Sequence, residues 1–183
     1  MAAYSSAPPS EIMTRIVLTG AESSGKSSLT LQLGARFGLP IALEYARIWL
    51  EAHGPEYTEE NLLTIFRGHL GYQQAQVPPG LSLGIFDTDL INYKIWFEEV
   101  FGHCPQEVVD AVGQETSHVY LLCAPDLPWE PDPLRENPND RERLFERHRT
   151  EIENLNRPYE IVRGTGEERL SCAEAALNKL IRA

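Results

Sequence analysis

Eight residues, Gly20-Ala21-Glu22-Ser23-Ser24-Gly25-Lys26-Ser27, have the types and the spacing to grip a triphosphate. Glycine lets the backbone turn tightly and approach an anion, so that successive N–H groups and the positive end of a following helix face it. Lys26 supplies a point charge for the β and γ phosphates, and the Ser27 hydroxyl, with Ser28 beside it, is suited to Mg2+. The GxxxxGK[ST] pattern has this mechanical meaning only between a strand and a helix. Both are expected here: Ile16 and Val17 precede it, while Leu29, Leu33 and Phe37 follow at i, i+4 and i+8. A Gly/Ser-rich turn that binds nothing is the competing reading, and this context disfavours it.

Phosphoryl transfer to an alcohol further needs a held metal and a carboxylate that accepts or orients the hydroxyl proton. In a parallel α/β sheet the ligand crevice lies beyond the carboxyl ends of the strands, so acids that follow apolar runs are the candidates. Glu44 follows Ile41-Ala42-Leu43, and Asp87-Thr88-Asp89 follows Ile85-Phe86. Asp87 is assigned to the metal, through water, and Glu44 to the acceptor hydroxyl. Asp89 either exchanges with them at the substrate or caps the next helix. Arg47, one turn beyond Glu44, pairs with it or reaches toward phosphate, and Tyr45 stands next to both.

Trp129 belongs to Asp126-Leu127-Pro128-Trp129-Glu130-Pro131-Asp132, a loop rather than an apolar face, where a flat ring can stack on substrate. Trp49 and Trp96, both on expected helices, read as packing. Arg135 and Arg141 read as a flap that closes over the γ phosphate, neutralises transition-state charge and excludes water. Arg143 and Arg147 alternate with Glu142 and Glu146 and read as a solvated face. Gly164-Thr165-Gly166 reads as a border for adenine or as a plain strand-to-helix turn.

The elements that must position these residues alternate in type. Strands are expected at 15–19, 41–43, 83–86, 118–122 and 159–162, and helices at 26–37, 45–52, from Thr58 to the break at Pro78-Pro79-Gly80, 89–100, 105–112, 141–154 and 167–182. Such alternation predicts an α/β fold of the P-loop kinase type, a three-layer α/β/α sandwich around a five-stranded parallel sheet. Residues 1–13, with Ser5, Ser6, Pro8, Pro9 and Ser10, read as a flexible tail; 14–183 read as one domain with a lid at about 127–142.

A chain of 183 residues with 42% apolar content builds one core, with little room for a second. The formal charge of −11 argues against a nucleic-acid partner and suits a small neutral or cationic substrate. No apolar run approaches the roughly 18 residues that span a bilayer, so no membrane partner is expected and the chain reads as cytoplasmic. Cys104, Cys123 and Cys172 read as reduced thiols, and the five histidines show no metal-ligand spacing. A homo-oligomer is compatible with all of this.

Four segments together carry a family likeness: GAESSGKSS at 20–28, EYAR at 44–47, DTD at 87–89 and HVYLLCAPDLPWEPDPLR at 118–135. From about Ile16 to Leu177 the chain resembles the ribosylnicotinamide kinase domain of NadR-type proteins and related single-domain P-loop ATPases. The resemblance implies transfer of the γ phosphate of ATP, with Mg2+, to the 5′ hydroxyl of nicotinamide riboside, giving nicotinamide mononucleotide. That substrate carries a pyridinium charge, which suits an acidic protein with aromatic rings near the cleft. No adenylyltransferase or helix-turn-helix region precedes the kinase-like segments here, so only the kinase part is implied.

Other acceptors, another nucleoside or small alcohol, fit the motifs equally, and a regulatory nucleotide-binding ATPase is the reading from a different class. A guanine switch fits poorly: Leu90 stands where a glycine is needed after the metal aspartate, and Ala124-Pro125-Asp126 where a guanine reader belongs. An assembly-forming ATPase needs a further helical domain, for which this length leaves little room.

Overall fold

β-branched and aromatic runs bounded by glycine and proline form β1 (Thr14–Thr19), β2 (Ile41–Ala42), β3 (Leu83–Asp87), β4 (His118–Cys123) and β5 (Tyr159–Val162) in the computed structural model, which describes residues 14–78 and 80–181. Every pairing between them is parallel, in the spatial order β2-β3-β1-β4-β5. The helices are α1 (Lys26–Phe37), α2 (Tyr45–His53), α3 (Glu59–Gln76), α4 (Leu90–Phe101), α5 (Gln106–Gln114), α6 (Arg141–Asn154) and α7 (Gly166–Leu180). The fold is therefore the expected P-loop kinase-type α/β/α sandwich.

Period-two alternation along the strands sorts the core into two halves. Ile16, Leu18, Ile85, Leu121 and Cys123 face α1 and α7, where Leu29, Leu33, Ala173 and Leu177 pack on them. Val17, Phe86, Tyr120 and Leu122 face the other way, against apolar side chains of α3 to α6 such as Leu62, Ile91, Val108 and Ile152. With both faces covered, a central strand need not alternate in polarity; all six residues of β4 are buried.

Boundary shifts of one or two residues have local causes. α3 begins at Glu59 because Thr58 is its cap: the Asn61 N–H donates to Thr58 Oγ1 at 3.2 Å and the Thr58 N–H to Asn61 Oδ1 at 3.0 Å. α4 begins at Leu90 because Asp89 caps it. β3 runs one residue further than expected, so Asp87 itself pairs with Leu18 of β1. The expected tail at 1–13 and the helical end at Arg182 fall outside the described residues.

The chain crosses the sheet in opposite directions after β1 and after β3, which opens a crevice between these two neighbours at their carboxyl ends. Between β4 and α6, residues 124–140 run as turns and irregular backbone above that crevice, where the lid is expected. Among the described residues no helix is long and apolar enough to cross a membrane.

Candidate active site

The loop after β1 wraps a cradle with little spare room. Gly20 has φ +131, and a Cβ there would lie 2.7 Å from the Cys123 carbonyl oxygen; Gly25 has φ +75, and a Cβ there would meet Leu127 Cδ1 at 2.7 Å. Gly20→Ala is accordingly expected to cost about 2 kcal/mol from backbone strain and overlap, read as a lowering of Tm by several degrees in a thermal melt. The Ser24 hydroxyl donates to the Ala21 carbonyl at 2.7 Å. Lys26 Nζ donates to the carbonyls of Gly20 (3.0 Å) and Ala21 (2.9 Å), which holds the ammonium at the mouth of the loop. From α7, the buried Arg169 binds the Ser24 and Ala124 carbonyls at 2.7 and 3.0 Å and Asp126 at 2.6 Å, bracing the loop from behind.

Asp87 lies behind Lys26 and Ser27 with no exposed surface, and neither carboxylate oxygen has a hydrogen-bond partner. Burial pushes its pKa up; the Lys26 ammonium, then the Ser27 hydroxyl and Arg47, pull it back. The Ser27 hydroxyl is close enough to favour the charged form without the geometry of a full hydrogen bond. An orphaned buried carboxylate is costly unless a cation or its water shell reaches it. Asp87 and Ser27 thus fit a hydrated Mg2+ beside the phosphates. Glu44, the cap residue of α2 two positions beyond β2, faces the same space, and its pKa is raised to about 7 by burial and then by the Asp87 charge, against Lys26 and Arg47.

A cavity of about 860 Å3 extends from the phosphate loop under residues 127–137, large enough for a nucleotide and a small acceptor. Beyond Glu44 its wall is aromatic. Trp96 on α4 meets Tyr57 edge-on, with centroids 5.1 Å apart, and its Nε1–H donates to the Tyr57 hydroxyl at 2.7 Å. That hydroxyl donates to Glu136, in the segment over the crevice, at 3.2 Å. Asn92, Ile95 and Glu99 continue the α4 side of this compartment.

Four expected site residues lie elsewhere. Tyr45 packs on α3, its ring against Gly68 and 5.3 Å from Tyr72, because α2 turns it away from Glu44 and Arg47. Trp129 is half-buried outside the cavity lining, with the Arg135 guanidinium 6.0 Å from its ring. Arg141 is spent on carbonyls: it donates to Pro125 and Leu127 at 2.7 Å each, a strap at the root of the segment over the crevice rather than a hand for phosphate.

Asp89 faces away from the cleft, its carboxylate accepting the Ile91 N–H at 3.1 Å and the Tyr120 hydroxyl at 2.5 Å, with Arg157 4.0 Å away. Thr88, at φ +69, makes this turn. Its strain is held by a hydrogen bond from its N–H to the Leu18 carbonyl and another from Gln73 to its own carbonyl. Asp89, Glu115 and His118 bring ligand-type atoms within 4.8 Å of one another, and the Arg157 guanidinium already stands beside the cluster, 4.0 Å from Asp89 and 3.6 Å from Glu115.

The remaining candidates do line the cavity: Glu22, Ser23, Ser24, Ser27, Ser28, Arg47 and Arg135. Arg47 binds Asp132, in the segment over the crevice, at 2.8 Å and Glu51 at 3.3 Å. Arg143 also lines it, but two hydrogen bonds to Glu99, at 2.9 and 2.6 Å, hold its guanidinium.

A protein family described as an AAA domain matches residues 15–169. The chain belongs to that AAA-domain family. A curated relative, the trifunctional NAD biosynthesis/regulator protein NadR of Salmonella typhimurium, is 26% identical over 126 residues, 66% of this chain and 30% of the relative. The AAA-domain chain thus matches less than a third of that relative's length. Among solved structures, a NadR protein in complex with NAD and AMP-PNP superposes with a TM-score of 0.71 at 16% identity, covering 93% of this chain and 50% of the other. A NadR protein in complex with NR gives 0.68 at 16% identity, over 93% and 52%. Deoxyadenosine kinase from M. mycoides with bound dATP gives 0.54 at 14% identity, over 90% and 99%. This AAA-domain protein therefore has the P-loop fold shared with small-molecule kinases.

Three cavity residues of the AAA-domain chain escaped the sequence reading. Trp96 reads as packing from sequence, yet Asn92, Trp96 and Glu99 form an i, i+4, i+7 stripe of mixed polarity along the cavity wall. Tyr57 comes from the α2–α3 connection, which carries no periodicity to read. His148 is buried on α6 with Nδ1 3.0 Å from Thr19 Oγ1; burial and then the Lys26 charge lower its pKa to about 3, so it lines the cleft as a neutral ring.

Proposed function

We propose that the protein is an ATP-dependent kinase that phosphorylates the 5′ hydroxyl of nicotinamide riboside. The observation that carries this reading is the juxtaposition of Glu44, a carboxyl poised near neutrality, with an aromatic compartment beside a phosphate loop. Backbone N–H groups of residues 20–27 and the Lys26 ammonium hold the phosphates. Ser27 and Asp87 would hold Mg2+, which when bound neutralises charge that builds on the phosphate oxygens. Glu44 accepts the proton of the acceptor hydroxyl, and Arg135, which reaches the Ser23 hydroxyl at 3.3 Å, sits over the loop to face that charge. Residues 127–137 keep water out.

The base of the acceptor lies against Trp96 and Tyr57, where the Glu99 and Glu136 carboxylates favour a flat cationic ring over a neutral one. The NadR likeness supports the same acceptor through the NR held by one of those proteins. The test is ATP consumption with nicotinamide riboside, with a panel of uncharged nucleosides and with no acceptor. Nicotinamide riboside is expected to give the highest kcat/KM. ATP consumption unaffected by every acceptor would overturn the reading in favour of a regulatory ATPase. Trp96→Ala is expected to raise the acceptor KM about tenfold while leaving kcat within about threefold, the scale of one ring contact with a cation.

A further inference from the structure

The backbone of Glu22 belongs to the phosphate loop, but its side chain leaves the loop altogether. Glu22 Oε2 accepts the Asn137 N–H at 2.9 Å and the Glu136 N–H at 3.1 Å. The neighbouring Ser23 hydroxyl accepts the Glu130 N–H at 3.0 Å. Two consecutive loop side chains thus take hold of both limbs of the lid by its backbone. A carboxylate that accepts two amide hydrogens forms charge-assisted bonds, stronger than their neutral counterparts.

An acidic side chain is otherwise adverse in a loop built to grip a polyanion, since like charges repel. Glu22 is tolerable there because its carboxylate is spent on lid amides. The chain of contacts does not stop at the lid. Glu136, whose N–H Glu22 holds, accepts the Tyr57 hydroxyl, which in turn accepts the Trp96 indole N–H. One line of hydrogen bonds therefore runs from the phosphate loop through the lid to the aromatic compartment.

We propose that the Glu22 side chain is the latch of the lid, a positioning residue that holds residues 130–137 down over the phosphate loop so that the phosphoryl group passes to the bound acceptor rather than to water. In either transfer the bond between the γ phosphorus and the β–γ bridging oxygen of ATP breaks, ADP leaves, and a new P–O bond forms to the acceptor hydroxyl or to water. The released proton goes to Glu44. The partition between the two fates rests on the proposed kinase reading; the latch itself does not.

Trypsin reads the latch directly, because Arg135 lies in the lid. Glu22→Ala is expected to be cut after Arg135 about tenfold faster than wild type, the scale of losing a doubly bonded carboxylate at a partly exposed site, with Tm nearly unchanged. Glu22→Gln, whose amide oxygen still accepts both N–H groups, is expected to stay within about threefold of wild type. Asn137→Pro deletes one donor without touching the phosphate loop and is expected to speed cleavage in the same direction.

In turnover, the ratio of ADP released to acceptor phosphorylated is expected to rise about tenfold in Glu22→Ala and to be largely restored in Glu22→Gln. Unchanged cleavage in both Glu22→Ala and Asn137→Pro overturns the latch. A Gln variant as open as the Ala variant also overturns it, by placing the effect on charge instead of hydrogen bonds. Faster cleavage with an unchanged product ratio overturns the partition. Should wild type phosphorylate no acceptor at all, the kinase reading fails while the cleavage rates still decide the latch.

Discussion

Lys26→Ala is expected to lower ATP-dependent turnover by about a thousandfold or more, the upper range for removing a charged group aimed at transition-state oxygens. Its ammonium is already held at the mouth of the cradle by the Gly20 and Ala21 carbonyls, so little reorganisation is needed to meet phosphate. The loop's glycine backbone and its brace by Arg169 do not depend on Lys26, so the fold survives the change and Tm stays close to wild type. Steady-state ADP release, with calorimetric titration of nucleotide, checks it. Turnover within tenfold of wild type would mean that the loop is not the catalytic cradle.

Glu44→Gln is expected to lower kcat by about a hundredfold, the scale of general-base catalysis. It is also expected to erase a feature of the pH profile. A base works only when deprotonated, so with the Glu44 carboxyl raised to about 7, kcat/KM is expected to rise with pH through about 7 and level off above it. Glu44 and Asp87 share the site, so this limb belongs to the pair.

For stability the same shift has the opposite consequence. A carboxyl whose pKa is higher folded than unfolded holds its proton more tightly in the native state. The stabilisation is complete below the unfolded value of about 4.3 and is lost as pH rises through about 7. Glu44→Gln should therefore match or exceed wild type in Tm at alkaline pH while being far slower. Asp87→Asn is expected to lose rate on a similar scale but to reveal itself as a raised Mg2+ requirement, since its two orphaned oxygens are the natural anchor for the metal's water shell. Full activity in both acidic variants would dismantle the mechanism and leave only the nucleotide cradle.

Local features can be read from the order of residues alone. The phosphate loop is contiguous, and its glycines, lysine and serine carry their meaning in their spacing. Glu44 and Asp87 were legible because each ends an apolar run, and in a parallel sheet every strand end faces the same crevice. The irregular segment over the crevice was legible as a proline-rich charged stretch between a buried strand and a helix.

Which way side chains point depends on packing. Successive helix positions differ by about 100° around the axis, so Glu44 and Arg47 reach the cleft while Tyr45 between them packs on α3. A left-handed Thr88 sends Asp87 and Asp89 to opposite sides of one turn, and no residue type near it announces that choice. Trp96, Tyr57 and Glu136 become one wall, and Glu22 becomes a clasp, only when four segments far apart in the chain are brought together. Such contacts depend on strand register and helix packing, which are set by burial over the whole domain rather than by neighbours in sequence.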